Sequence, residues 1–282
     1  MKKSFQIIGI TSLACFSFIF TEKTANTLRD NDNLMKVIKE ESNLYKVESE
    51  NARLDNDTII PGINGKIVNN NRSYDNMKRF GAFNENMLIY DVILPEMSIK
   101  NTYNKYVVSG NPRKNSVSII VKVSIEDNVK QILSVVDKNI PLNFFIDGKW
   151  MEKNEEEFKI LTSNNYNIGN LSYGGNYLDS SFVWLKTIIN KYSNQNNSYC
   201  YLEQKNDEFL DMCALHKSYT LFPSIIIGEY PLITLKEKLK SGDIISLEIT
   251  QTTLKELPLM ISYIKSKGYK IVSLDELLSE DM

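Results

Sequence analysis

The chain has 282 residues, 42% of them hydrophobic and 24% charged, enough for one medium domain with a buried core plus a further module. Its formal net charge is −2 and no basic stripe stands out, which excludes nucleic acid as an implied partner. Asn, Ile and Lys are heavily used, a bias we read as genomic rather than chemical.

At the N-terminus, Lys2 and Lys3 precede an almost unbroken apolar run from Phe5 to Phe20. A short basic region followed by an apolar core is the pattern of a secretory signal. The run is shorter than the ~20 residues that span a bilayer comfortably. No A-x-A cleavage site follows, and Ser12-Leu13-Ala14 before Cys15 makes a poor lipobox. A cleaved signal peptide and an uncleaved membrane anchor both fit residues 1–21. Either leaves the rest membrane-anchored outside the cytoplasm or secreted.

Residues 22–57 are polar, with Leu34, Val37, Ile38, Leu44, Val47 and Leu54 at loosely helical spacing. Glu41 and Asn51 interrupt any heptad seam, so we expect a stalk with a short helix rather than a coiled coil. Residues 58–112 read as a small α+β module of unknown role. It has a strand-like run broken by Pro61, Gly62 and Gly65, then a helix from Ser73 to Phe80 with Ser73 as N-cap. Apolar runs at Met87–Leu94 and Tyr103–Ser109 complete it.

From residue 113 to 282 the pattern changes to alternating strands and helices. Strands are expected at 117–123, 142–146, 166–170, 199–202, 221–227, 243–249 and 269–273. Helices are expected at 128–138, 152–164, 180–191, 207–216, 232–239, 252–267 and 275–278. This alternation predicts a parallel sheet covered by helices, an α/β fold. About seven such units suggest a (β/α) barrel, with an open doubly wound sheet as the alternative. Cys200 and Cys213 either pair in an oxidising compartment or stay as buried thiols. Cys213 and His216, three apart on a helix, have nucleophile–base spacing, but nothing else in the sequence supports that role.

Several segments resemble the polysaccharide deacetylase (NodB-homology, carbohydrate esterase family 4) domain. Leu142 to Asn154 (LNFFIDGKWMEKN) is similar to the family's A-T-F-F-v-x-G-x-W. Asn165 to Gly175 (NYNIGNLSYGG) looks like its G-H-E-I-G-N-H-S-x-x-H. Lys240 to Glu248 (KSGDIISLE) resembles x-x-G-x-I-I-L-L-H. Leu257-Pro258 and Ile264 to Leu278 (IKSKGYKIVSLDELL) resemble the closing L-P and L-K-x-K-G-Y-x-F-V-T-L-x-E-L. The likeness covers roughly 116–278. It implies a NodB-like barrel of about seven strands and an ancestral chemistry that removes acetyl groups from glycans. In that chemistry one Asp and two His hold a divalent metal, usually Zn²⁺, a neighbouring Asp is the base, an Arg orients it, and a late His protonates the leaving amine.

Carried over position by position, those roles do not land on suitable side chains. The paired His positions fall on Leu171 and Gly175. Aligned without gaps, the T-F-D-D-G motif falls on Ile120 to Ser124 (IVKVS), so the base position is Lys122 and the ligand position Val123. A gapped alignment keeps two carboxylates, Glu126 and Asp127, but needs a four-residue deletion. The R-P-P-Y-G motif falls on Tyr199 to Glu203 (YCYLE), with Tyr199 at the Arg position, and the late His falls on Glu248. The chain has one histidine, so a His₂Asp site cannot be assembled within it. We therefore expect no catalytic metal and no other cofactor, with Zn only if a rebuilt site exists.

Three readings follow. One is a pseudoenzyme that binds or scaffolds cell-wall glycan or an envelope polysaccharide, with Asn170, Ser172, Tyr173, Tyr199 and Glu248 lining its cleft. Another is an active hydrolase rebuilt around Glu126, Asp127 and Glu248. The last is an envelope protein-binding module in which 58–112 does the work. Tyr173, Tyr199, Tyr201 and Trp150 are candidates to stack on sugars, against a default of core or rim packing. His216, Glu126, Asp127 and the Glu155–Glu157 run read most simply as helix-associated polar groups.

Overall fold

The computed structural model describes residues 27–164, 166–195 and 197–281. The expected signal or anchor segment, 1–21, lies outside them. Among the described residues no helix is long and apolar enough to cross a membrane. Two compact units emerge, one from residues up to 49 with 64–94, the other from 50–63 with the chain from 95 onward.

The smaller unit begins with helix α1 (Asn33–Glu41), started by Asp32, whose side chain accepts from the Leu34 amide at 2.8 Å. Leu34, Met35 and Ile38 share its buried face, and Leu34 and Ile38 pack with Val68, Met77 and Leu88. The segment expected as a stalk is therefore packed here, because this apolar stripe has a core to enter. The chain next contributes a hairpin, β1 (Arg53–Asp55) and β2 (Thr58–Ile60), to the larger unit. It returns for β3 (Gly65–Val68), α2 (Asn70–Met77) and β4 (Tyr90–Ile93), with β3 and β4 antiparallel. The α2 N-cap is Asn69, not Ser73: Asn69 accepts from the Arg72 amide at 3.0 Å. Ser73 lies inside the helix, buried, and takes the Ile89 amide at 2.9 Å.

The larger unit continues with β5 (Tyr106–Val107), β6 (Ser116–Val123), α3 (Val129–Val135), β7 (Leu142–Ile146), α4 (Gly148–Lys153) and α5 (Glu155–Ser163). Then come β8 (Asn167–Asn170), α6 (Asp179–Tyr192), β9 (Ser198–Tyr201), α7 (Asp207–Leu215), β10 (Ser218–Leu221) and β11 (Ile225–Ile226). It closes with α8 (Pro231–Lys238), β12 (Ile244–Glu248), α9 (Gln251–Ser266), β13 (Lys270–Ile271) and α10 (Leu274–Leu278). Asn128, Asp147, Asn206, Thr250 and Ser273 cap α3, α4, α7, α9 and α10, each accepting a first-turn amide. Part of the asparagine richness therefore has a local structural use.

The sheet order is β1-β2-β5-β10-β9-β8-β7-β6-β12-β11, with β13 also on β6. All pairings are parallel except β1 with β2. The run expected as one strand, 221–227, is split at Phe222-Pro223-Ser224. Its halves join opposite sides of the sheet: β10 pairs with β9, and β11 pairs with β12. Four Cα steps span at most about 14 Å. The seven strands from β10 round to β11 must therefore curl almost back on themselves, giving the curled half-barrel of a NodB-like fold. The sequence division at 57/58 and 112/113 does not match the units, because β1, β2 and β5 extend this sheet beyond β10.

The strands are buried on both faces, and the two-residue period sorts them. Val117, Ile119, Val121 and Val123 of β6 and Leu142, Phe144 and Ile146 of β7 pack with helix residues such as Ile132, Leu161, Leu257 and Ile264. Their alternates, Ile120 and Phe145, join Tyr199, Tyr201, Ile244 and Leu274 inside the curl. Cys200 faces outward from β9 and is disulfide-bonded to Cys213 on α7, 13 residues on.

α10 plugs the end of the barrel where the strands begin. Leu274, Leu277 and Leu278 are buried, and the Leu274 amide donates to Asn143 Oδ1 at 2.8 Å. Asp275 accepts from Asn167 at 3.1 Å, from Asn197 at 2.9 Å and from the Tyr199 hydroxyl. Burial, then the Asp275 charge and hydrogen bond, push the Tyr199 phenol well above its ordinary range.

Asp275→Ala leaves these donors without their carboxylate. It should lower the unfolding free energy by about 3 kcal/mol, read from urea unfolding. Replacing Cys200 and Cys213 together by serine should cost about 3 kcal/mol for a loop of this length, measured in the same way.

Candidate functional site

Parallel strands present their C-terminal ends on one side of the barrel, opposite the α10 plug. A cleft of about 650 Å³ opens there, lined from β6 and the residues after it (Lys122 to Glu126), after β7 (Asp147), after β8 (Leu171, Gly174, Gly175, Tyr177) and from the end of β9 (Tyr201, Leu202, Glu203). β6 carries Lys122 on the inward alternation, two residues after Ile120. The β12–β6 register sets Glu248 directly beside Lys122. On β9 the same alternation follows Tyr201 with Glu203.

These residues form one network. Lys122 Nζ donates to Glu203 Oε1 at 2.6 Å and to Glu248 Oε1 at 3.0 Å. The Tyr201 hydroxyl lies 2.7 Å from Glu203 Oε1 and 2.7 Å from Ser246 Oγ. Burial works against the Lys122 charge, but the hydrogen bonds and charges of Glu203 and Glu248 outweigh it and raise its pKa above the usual lysine value. Burial likewise opposes the Glu203 charge, and hydrogen bonds from Lys122 and Tyr201 overcome it, holding the carboxyl below its usual value. Burial pushes the Tyr201 and Tyr177 phenols up, so both stay protonated donors.

The far wall is a backbone turn. Ser172, Gly174 and Gly175 have φ of +64°, +63° and +74°. Asp147 caps α4 through Lys149 N at 2.7 Å and reaches across to Gly175 N at 3.0 Å, clamping this turn to the helix start. A side chain at Gly175 would enter open space, since an added Cβ meets nothing within 4 Å.

The sequence-predicted residues separate sharply. Lys122, Val123, Glu126, Leu171 and Gly175 line the cleft, and Glu248 joins it through Lys122. Tyr199 does not: it points into the core and bonds the α10 plug, because it is one two-residue layer below Tyr201. Asn170 and Ser172 are buried and internally satisfied, Asn170 bonding Phe182 O at 2.9 Å and Ser172 N at 2.6 Å, so neither offers a ligand contact. Tyr173 packs edge-on against Trp184 and bonds Glu152 at 2.7 Å, apart from the cleft lining. Trp150 is fully buried, its ring N–H on the Asp127 carbonyl at 2.8 Å. Glu126 is at the rim in an ion pair with Lys153 at 2.8 Å. The Asp127 carboxylate accepts from Ser124 N at 2.6 Å, and burial foremost raises its pKa. Cys213 is in the disulfide, and His216 bonds Asp179 at 2.6 Å, so the two form no nucleophile–base pair. Glu203, Asp147 and Tyr177 were not singled out from sequence. The inward alternation after Tyr201 and the capping Asp at the end of β7 are the signals that mark the first two.

The residues present do not fit a divalent metal. Leu171 and Gly175 have no donor side chain, and the two converging carboxylates, Glu203 and Glu248, each already spend one oxygen on the Lys122 ammonium, so no set of three protein ligands is left. Among the described residues no group of three His, Cys, Asp or Glu is arranged to hold an ion.

No family model matches the chain. It is 26% identical over 279 residues, covering 91% of this chain and 87% of the relative, to "Uncharacterized protein YlxY" of Bacillus subtilis (strain 168). Among solved structures it is similar to BA3943 from Bacillus anthracis, described as a CE4 family pseudoenzyme, with a TM-score of 0.68, 24% identity, 89% of this chain and 96% of that one covered. The Bc1960 peptidoglycan N-acetylglucosamine deacetylase matches with a TM-score of 0.56 and 18% identity over 63% of this chain and 95% of that one. These likenesses show that the fold is the one expected from the resemblance, that of the CE4 polysaccharide deacetylases.

Folding holds Glu203 below the pKa it has in the unfolded chain, so the unfolded chain takes up the proton first as pH falls. The stabilisation it provides is present above the ordinary carboxylate range and disappears as pH drops through the folded value. The melting temperature of wild type should therefore exceed that of Glu203→Gln at neutral pH. The gap should close in acid below about pH 4, near the free Glu value.

Proposed function

We propose that this chain, which has the fold of the CE4 deacetylases, is a non-catalytic protein of the cell envelope that binds or scaffolds cell-wall glycan. The observation that carries this reading is the position of Lys122. Its ammonium sits between Glu203 and Glu248 at the mouth of the barrel. Hydrolysis of an acetamide by the fold's usual route needs a metal to activate water and polarise the carbonyl. A lysine held charged by two carboxylates supplies neither a Lewis acid nor a free base.

What remains suits recognition. Ile125, Leu171 and Tyr177 give an apolar wall for the C–H face of a pyranose, and Lys122, Glu203 and Glu248 give polar groups for its hydroxyls. The resemblance to BA3943, itself described as a pseudoenzyme with a mutant of restored enzymatic activity, supports the same reading. The Cys200–Cys213 disulfide suits an oxidising compartment and so supports an extracytoplasmic location, membrane-anchored or secreted through 1–21. That segment would provide the membrane association.

The full chain, incubated with Zn²⁺ or Co²⁺ and acetylated chitooligosaccharide or peptidoglycan fragments, should release no acetate and take up no stoichiometric metal. It should show saturable retention on peptidoglycan. Acetate release with bound metal would overturn the proposal in favour of a rebuilt hydrolase, and Glu126, Asp127 and Glu248 would be the first residues to replace.

A further inference from the structure

We propose that the cleft selects a de-N-acetylated amino sugar, binding its protonated primary amine on the carboxylate oxygens of Glu203 and Glu248 that Lys122 does not use, over the N-acetylated form of the same sugar. This rests on the glycan-binding reading and names the sugar chemistry it takes. The first argument is hydrogen-bond capacity. Among the described residues, the hydrogen bonds to the Glu203 and Glu248 carboxylates all end on Oε1, from Lys122 to both and from Tyr201 to Glu203. Each Oε2 is left to accept. Glu248 is the accessible one, its side chain 54% exposed against 22% for Lys122.

The second argument is charge. Four carboxylates stand in or beside the cleft, from Glu126, Asp147, Glu203 and Glu248. Three ammonium groups face them: Lys122 on Glu203 and Glu248, Lys153 on Glu126, and Lys149 against Gly174. Asp147 is satisfied by two backbone amides rather than by a cation. One negative charge is in excess even with the rim lysines counted. A ligand ammonium removes that excess through charge-assisted hydrogen bonds. An acetamido group brings no charge and sets a carbonyl oxygen against two carboxylates. The apolar wall of Ile125, Leu171 and Tyr177 serves either sugar equally, so the discrimination lies in the nitrogen substituent.

The test is calorimetric titration of the full chain with fully de-N-acetylated and fully N-acetylated chitotetraose, at a pH where the amine is protonated. The amine oligomer should bind at least about tenfold tighter, as expected for a charge-assisted contact, and lose affinity with added salt. E248Q should weaken the amine oligomer more than the N-acetylated one, collapsing the preference. Equal or tighter binding of the N-acetylated oligomer, or an unchanged preference in E248Q, would overturn the amine assignment and leave glycan binding standing. Binding of neither oligomer also overturns the amine assignment. The glycan-binding reading falls with it only if peptidoglycan too is not retained.

Discussion

The two-residue alternation of the parallel strands governs this molecule. Because both faces of the sheet are buried, each strand supplies one set of side chains to the helices and the other to the barrel interior. Small or apolar inward residues fill the lower layers, as at Ser118, Ile120 and Phe145. The last inward position of β6 is Lys122, and a lysine there cannot be left alone. Glu248 arrives beside it by register, and Glu203 by continuing the β9 alternation. The cluster is thus a consequence of strand alignment, and it runs from the exposed Glu248 down to the buried Tyr201–Ser246 pair.

The opposite end of the barrel is closed by different means. α10 places three leucines over the interior and uses Asp275 to collect donors from Asn167, Asn197 and Tyr199. A tyrosine that looks like a candidate for sugar stacking is thereby part of the closure. With that end covered by α10, the cleft at the other end opens beside the Lys122 network.

Most of the larger unit was legible in the sequence, because strand–helix alternation and the motif likeness of 142–175 and 240–278 both depend on local pattern. The loss of donor side chains at Leu171 and Gly175 was legible for the same reason: it is a matter of residue identity. What escaped was non-local. Pairing of β2 with β5 and of β5 with β10 joins residues far apart in sequence, so the hairpin at 53–60 read as stalk and module. The split at Pro223 looked like one apolar run because strand periodicity continues across it. Tyr199 and Tyr201 are equivalent in composition, and only depth along β9 tells core from cleft. Glu203 shows no role within its own segment, since its partner Lys122 is 81 residues away.

The way β10 is covered has a consequence for cutting the protein into pieces. Its outer neighbour is β5, and beyond that lies the β1–β2 hairpin, all contributed from before residue 113. A fragment begun where the motif likeness begins would strip the flank of β10, expose its unpaired backbone, and remove Ile59 and Val107 from the interior cluster. Such a fragment would be inclined to associate through that bare edge. Its oligomers and its losses of binding would then report on the cut rather than on the cleft.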